Sequence, residues 1–134
     1  GVYNVQRYLQ SGGFDEQLAS SYWQKMDFGL RAYLWGDAIS TALGFRVNAS
    51  SPIRPEETTP NIDYLRFFLK NIAIRFDGEK GRLARRTLLG MLLRPSIGFW
   101  DTVREFRLVR SWVLRHQFRF VQDARRVLEL WEDQ

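Results

Sequence analysis

Asp27 and Arg31 stand four residues apart in YWQKMDFGLRAYLWG, a spacing that stacks a carboxylate and a guanidinium on one side of a helix. Two chemistries fit such a pair. A carboxylate that comes within about 2.6–3.2 Å of a hydroxyl acts as its general base. The same carboxylate beside Arg31 makes a surface ion pair contributing about 0.2–0.5 kcal/mol. Just upstream, Gly12-Gly13-Phe14-Asp15-Glu16 joins a glycine turn to two acids. Glycine accepts backbone angles that other residues avoid. Asp15 suits a helix N-cap, and Glu16 suits the positive end of the helix dipole. Trp23 and Trp35 offer flat apolar faces that either stack on a sugar ring or fill a core.

The elements that position these residues follow from periodicity. Ala19, Tyr22, Trp23, Met26, Leu30, Tyr33 and Leu34 recur at i, i+3, i+4 and i+7, and Gly36 closes the pattern, so a helix is expected from Asp15 to Trp35. Residues 2–10 read as a strand leading into a helical turn. From Ile39 to Val47, apolar and small residues alternate as in a half-buried strand.

The order of these parts resembles the acceptor-side segment of family-2 glycosyltransferases, inverting enzymes with the nucleotide-sugar-binding GT-A fold. In that family a GGFDE-like turn leads into a helix beginning roughly Glu-Asp-x-Asp-Leu-x-x-Arg, and the first Asp of that run is the base. Residues 22–31 align with it. Asp27 and Arg31 match the pattern, whereas Gln24 and Lys25 occupy the Glu and base-Asp positions. The resemblance covers residues 2–36 and fades beyond about residue 48. With Lys25 at the base position, Asp27 is the candidate to substitute as catalytic base, and the resemblance implies roles for Asp15, Glu16, Trp23 and Arg31 in binding a sugar or lipid-linked acceptor. The family's donor diphosphate is held by an Asp-x-Asp motif and a divalent cation, Mg or Mn. No Asp-x-Asp occurs here, and Asn48 stands where the family often has a metal-binding His. No metal ligand and no cofactor are therefore expected in this chain. The cation would come with a nucleotide-sugar-binding N-terminal half as partner, and the isolated piece would be inactive.

Beyond residue 48 the composition changes. ASSPIRPEETTP, residues 49–60, holds three of the four prolines and reads as a loop. Ile62, Leu65, Phe68, Leu69, Ile72, Ala73 and Phe76 mark a helix over Asn61–Phe76, broken by Asp77-Gly78-Glu79-Lys80-Gly81. Those glycines are too close for a phosphate loop, and Gly rather than Ser or Thr follows Lys80. A short helix is expected over Arg82–Leu93, then a long one from Pro95 or Ser96 to Trp131. On its wheel Phe99, Val103, Phe106, Val109, Val113, Val121, Ala124 and Val127 face one way. Arg104, Arg107, Arg115, Arg119, Arg125 and Arg126 face the other, with Leu108, Trp112 and Phe118 off the apolar side.

Charge is unevenly placed. Residues 1–60 carry five basic and six acidic side chains, and residues 61–134 carry fifteen and nine. The basic face of the tail is expected to be either solvated or apposed to an anionic membrane or a protein partner through Arg104, Arg107, Arg115, Arg119, Arg126 and Trp112. Nucleic acid is a poor fit, because no reader motif accompanies the charge. The chain has no cysteine, and none of its apolar runs approaches 18 residues, so thiol chemistry and a spanning helix are excluded. It begins with Gly, which fits a segment of something longer.

The expected architecture is mainly α with a small β element. It comprises an acceptor-side segment over 1–48, a proline-rich loop over 49–60 and a basic helical region over 61–134. The expected function is the C-terminal portion of a family-2-like glycosyltransferase, moving a sugar from a nucleotide donor to a hydroxyl. The alternative is a non-catalytic helical module on a membrane or a partner. A cytoplasmic location, including the inner face of a membrane, and a homo-oligomer are both compatible with these readings.

Overall fold

The computed structural model describes residues 2–40, 44, 61–93, 97–125, 127 and 129. Most of the strand expected over Ile39–Val47, and all of the loop expected over 49–60, lie outside them. Within the described residues the chain is mostly helical with one small antiparallel sheet, an α+β arrangement.

Residues 2–10 carry no strand. Helix α1 spans Val5–Gln10, with the Asn4 side chain accepting from Arg7 N at 3.1 Å. It ends because Gly12 and Gly13 both take positive φ, which lets Gly13 N bond back to Tyr8 O at 2.9 Å and close the last turn. A Cβ on Gly13 would stand 3.0 Å from the Tyr8 ring, so the turn needs glycine for space as well as for conformation.

Helix α2 spans Ser21–Leu34, beginning six residues later than expected. Asp15 is not its N-cap. The Asp15 carboxylate accepts from Gln17 N at 3.0 Å in a local turn, and Ser20 takes the cap position. Ser20 N in turn donates to Asp63 at 2.8 Å, which ties the start of α2 to the next helix.

Helix α3, Ile62–Phe67, runs into a wide π-turn over Phe68–Ile72. The helix expected to reach Phe76 stops there. Ile74–Phe76 forms strand β1 instead, pairing with β2, Gly81–Leu83, in the register Ile74 to Leu83 and Phe76 to Gly81. Asp77 organises the loop between them by accepting from Glu79 N and Lys80 N. Helix α4 is Arg85–Leu92 and α5 is Phe99–His116.

The long tail helix is also shorter than expected. A 3₁₀ turn at Gln117–Arg119 follows α5, and the chain then becomes extended so that Phe120 enters the core. Val121 N bonds to Leu34 O at 3.0 Å and fixes this segment against the end of α2. The main core joins Leu34, Leu65, Leu69, Ile74, Phe106, Val109, Val113 and Phe120. A second, smaller cluster holds Leu18, Trp23 and Phe67.

Candidate functional site

Arg31 connects the two halves of the glycine-turn motif. Its guanidinium donates to Ser11 O at 2.6 Å and to Gly13 O, while Asp27 lies 3.3 Å away on the preceding turn of α2. The turn bearing Asp15 and Glu16 is thereby held against the helix bearing Asp27.

Asp15 is paired from the other side of the molecule. Its carboxylate takes Arg66 Nε at 2.8 Å and Lys70 Nζ at 2.7 Å. Arg66 also donates to Glu105 of α5 at 2.8 Å. Lys70 reaches 3.2 Å from Asp27, and Asn71 Nδ2 donates to the same carboxylate at 2.8 Å. The π-turn makes this convergence possible, because the extra residue per turn brings the adjacent Lys70 and Asn71 inward together. Three carboxylates, Asp15, Asp27 and Glu105, therefore meet three cations, Arg31, Arg66 and Lys70. The buried cluster is charge-balanced.

Burial alone would raise the Asp15 pKa. The charge of Lys70 and the hydrogen bonds of Lys70 and Arg66 outweigh it and hold the carboxyl at about 2.

Above this floor lies an open cleft of about 560 Å³. The glycine turn with Asp15 and Glu16 forms one rim, and Arg31 and Lys70 form the base. Trp112, His116 and Arg119 form the far side. Trp112 stacks on Trp35 at 5.9 Å and carries the Lys70 ammonium 4.5 Å above its ring. Arg119 lies over Trp35 at 4.3 Å and donates to Gln10 O at 2.8 Å.

His116 is the titratable group of most chemical interest. Its Nδ1 is 2.8 Å from Trp112 O, and a carbonyl only accepts, so Nδ1 carries the hydrogen. The neutral ring then has its lone pair on Nε2, which makes no hydrogen bond among the described residues. Burial lowers the pKa of His116 below its usual value. The Trp112 bond acts in the opposite sense, and Arg119, Arg115 and Arg31 lower it further. A half-buried imidazole on a cleft wall, neutral at pH 7 with one nitrogen free, is equipped to accept a proton.

Of the residues expected to bind an acceptor, Asp15, Glu16 and Arg31 come together at this cleft. Trp23 does not. It is 5% exposed and packs on Tyr64 and Phe67 in the smaller core, with no face left for a sugar. Asp27 lies beneath the cleft, fully buried, with Lys70, Asn71 and Arg31 around its carboxylate. It is not the surface ion pair that its spacing allowed, and no hydroxyl in the cleft can reach it as placed. Gln24 donates to Leu18 O, and Lys25 is exposed.

Arg104, Arg107 and Arg115 are exposed on α5, whereas Arg119 and Trp112 belong to the cleft side. The side chain of Arg126 lies outside the described residues. Lys70, Asn71 and His116 were not singled out from sequence. The i, i+4 spacing of Arg66 and Lys70 in the expected Asn61–Phe76 helix was the available signal for the first of them.

Among the described residues no group of three or more His, Asp or Glu is placed to hold a metal ion, and no helix is long and apolar enough to cross a membrane. Comparison of the chain with family profiles, curated proteins and solved structures finds no match.

Proposed function

We propose that the chain is the acceptor-side portion of a family-2-like glycosyltransferase and that the cleft receives the hydroxyl-bearing end of a sugar or lipid-linked acceptor. One observation carries this reading. Asp15, Glu16 and Arg31, the residues that the glycine-turn motif implicates, line a single open cleft, and Arg31 itself clamps the turn to the helix. Because the ion cluster below is balanced, the cleft has little net charge and many hydrogen-bonding groups, which suits a polyhydroxyl ligand more than an ion.

In this reading Asp27 is a positioning residue, holding Lys70 and Arg31 in place. His116 Nε2 takes the acceptor hydroxyl proton while that oxygen attacks the anomeric carbon of the donor. The bond from that carbon to the diphosphate breaks, and the nucleoside diphosphate leaves with the electron pair. The nucleotide sugar and its divalent cation belong to a separate N-terminal half, and the setting is cytoplasmic, at or near a membrane.

A second reading, a non-catalytic module, is favoured by one feature. The two positions where the family pattern puts its acids carry Gln24 and the exposed Lys25.

Titration of tryptophan emission with neutral mono- and oligosaccharides tests the binding claim, since Trp112 lines the cleft and stacks on Trp35. Saturable quenching is expected. Glu16→Gln should weaken it by about 10-fold, the loss of one hydrogen bond to a charged group. A flat response to every glycan would favour the non-catalytic module.

A further inference from the structure

We propose that the solvent face of α5 is a docking surface for an anionic lipid bilayer, with the helix lying in the plane of the headgroups. This inference is independent of the acceptor reading. Thr102, Phe106, Val109 and Val113 are buried on one side of α5. On the opposite side Trp100 and Leu114 are 79% and 54% exposed, and Phe118, in the 3₁₀ turn that follows the helix, is 67% exposed. Arg104, Arg107 and Arg115 are exposed between them. At 100° per residue the five that lie on α5 fall within an arc of about 100° and extend about 22 Å along the axis.

The same helix therefore has two apolar aspects. One faces the core through Phe106, Val109 and Val113. The other is interrupted by arginine and faces solvent.

The chemistry of the outer strip distinguishes among occupants. A second copy of the chain would bring arginines against arginines, and the cores of protein interfaces are depleted of charge. A bilayer surface accepts both components at once. Guanidinium groups meet phosphate and carboxylate headgroups, while Trp, Leu and Phe insert at the acyl boundary. Among the described residues of α5, Asp101 is the one exposed acid, and it lies 3.5 Å from Arg104 at the edge of the arc. Lys80 lies 5.5 Å from the Phe118 ring, in a loop that also carries exposed Asp77 and Glu79.

The strip also differs from the one expected from sequence. Trp112 and Arg119 turn away from it to the cleft, and Trp100 and Leu114 take their place. Trp112 and His116 lie about 120° and 160° around the helix from Trp100, so docking leaves the cleft open.

Co-sedimentation of the whole chain with phosphatidylcholine vesicles, with and without phosphatidylserine, tests the proposal at low and high salt. The expected result is binding to the anionic vesicles only, weakened by salt. Each basic residue near an anionic surface contributes about five-fold in affinity, so Arg107→Glu with Arg115→Glu should reduce binding by at least about 25-fold. Trp100→Ser with Phe118→Ser should abolish the blue shift of tryptophan emission on binding. A control, Arg7→Glu with Arg125→Glu, makes the same change in net charge at exposed sites off the strip and should cost much less.

Equal losses in the strip and control variants would reduce the effect to net charge and overturn the proposal. So would equal binding to neutral vesicles, or no binding to either kind. A solution dimer that Trp100→Ser with Phe118→Ser dissolves, without lipid binding, would assign the face to a second copy instead.

Discussion

Lys70 and Asp27 are 43 residues apart in the chain and 3.2 Å apart in the fold, and both are buried. That contact turns Asp27 from a helix-surface residue into the centre of a closed ion cluster. Taking charges out of water is costly, and the cluster tolerates it because Asp15 and Asp27 each meet more than one donor and Glu105 is paired with Arg66.

Asp27→Asn is therefore expected to be a severe stability mutation. It leaves Lys70 and Arg31 buried with one fewer counter-charge, a class of change that costs about 3–5 kcal/mol. Urea denaturation of the variant, with fold retention checked by circular dichroism, measures it. A loss below about 1 kcal/mol would mean that the carboxylate is solvated and that the cluster is looser than described.

Asp15 sets an acid limit. Its carboxyl is held at about 2, below the ordinary value of 3.8, so folding favours the charged form. The stability from this group is fully present above pH 4 and is lost as pH falls through about 2. Its size is on the order of 2 kcal/mol. Denaturation midpoints between pH 5 and 2.5 should fall accordingly. Asp15→Asn should be less stable than the parent at pH 5 and should lose less of its stability over the same range. A parent profile as flat as that of the variant would contradict the pairing with Lys70 and Arg66.

Much of this architecture was legible from periodicity and little of the cluster was. The inner face of α2 and the Phe106–Val109–Val113 stripe of α5 repeat as helical cores do. The hairpin was hidden because Ile72, Ala73 and Phe76 satisfy a helical repeat as well as a strand, and Asp77-Gly78 reads equally as a break or a turn. The π-turn has no sequence signature, so a regular wheel could not bring Lys70 and Asn71 inward. Arg31 binds backbone carbonyls, which every sequence offers. Phe120 and Val121 continue the apolar repeat of α5, although the chain has already left the helix.

Gly81 makes a packing claim that can be tested alone. A Cβ there would stand 2.5 Å from Phe120 Cγ, and Phe120 is 1% exposed and cannot retreat into solvent. Gly81→Ala should destabilise the chain by about 1–3 kcal/mol, the usual cost of overpacking. Thermal denaturation reads this directly, and an unchanged midpoint would place Phe120 elsewhere than against the hairpin.

In the proposed reaction the cleft brings a sugar hydroxyl to Nε2 of His116. Long-range proton–nitrogen correlation NMR of the imidazole, recorded across a pH titration and again with saturating oligosaccharide, tests it most directly. The expected result is a neutral ring at pH 7 with hydrogen on Nδ1, a titration midpoint below the usual 6.5, and a shift of the Nε2 resonance when sugar is added. Hydrogen on Nε2 would remove His116 as the proton acceptor, whatever the sugar does. A correct tautomer whose Nε2 stays still, along with the other cleft resonances, at every sugar concentration would contradict the acceptor site itself.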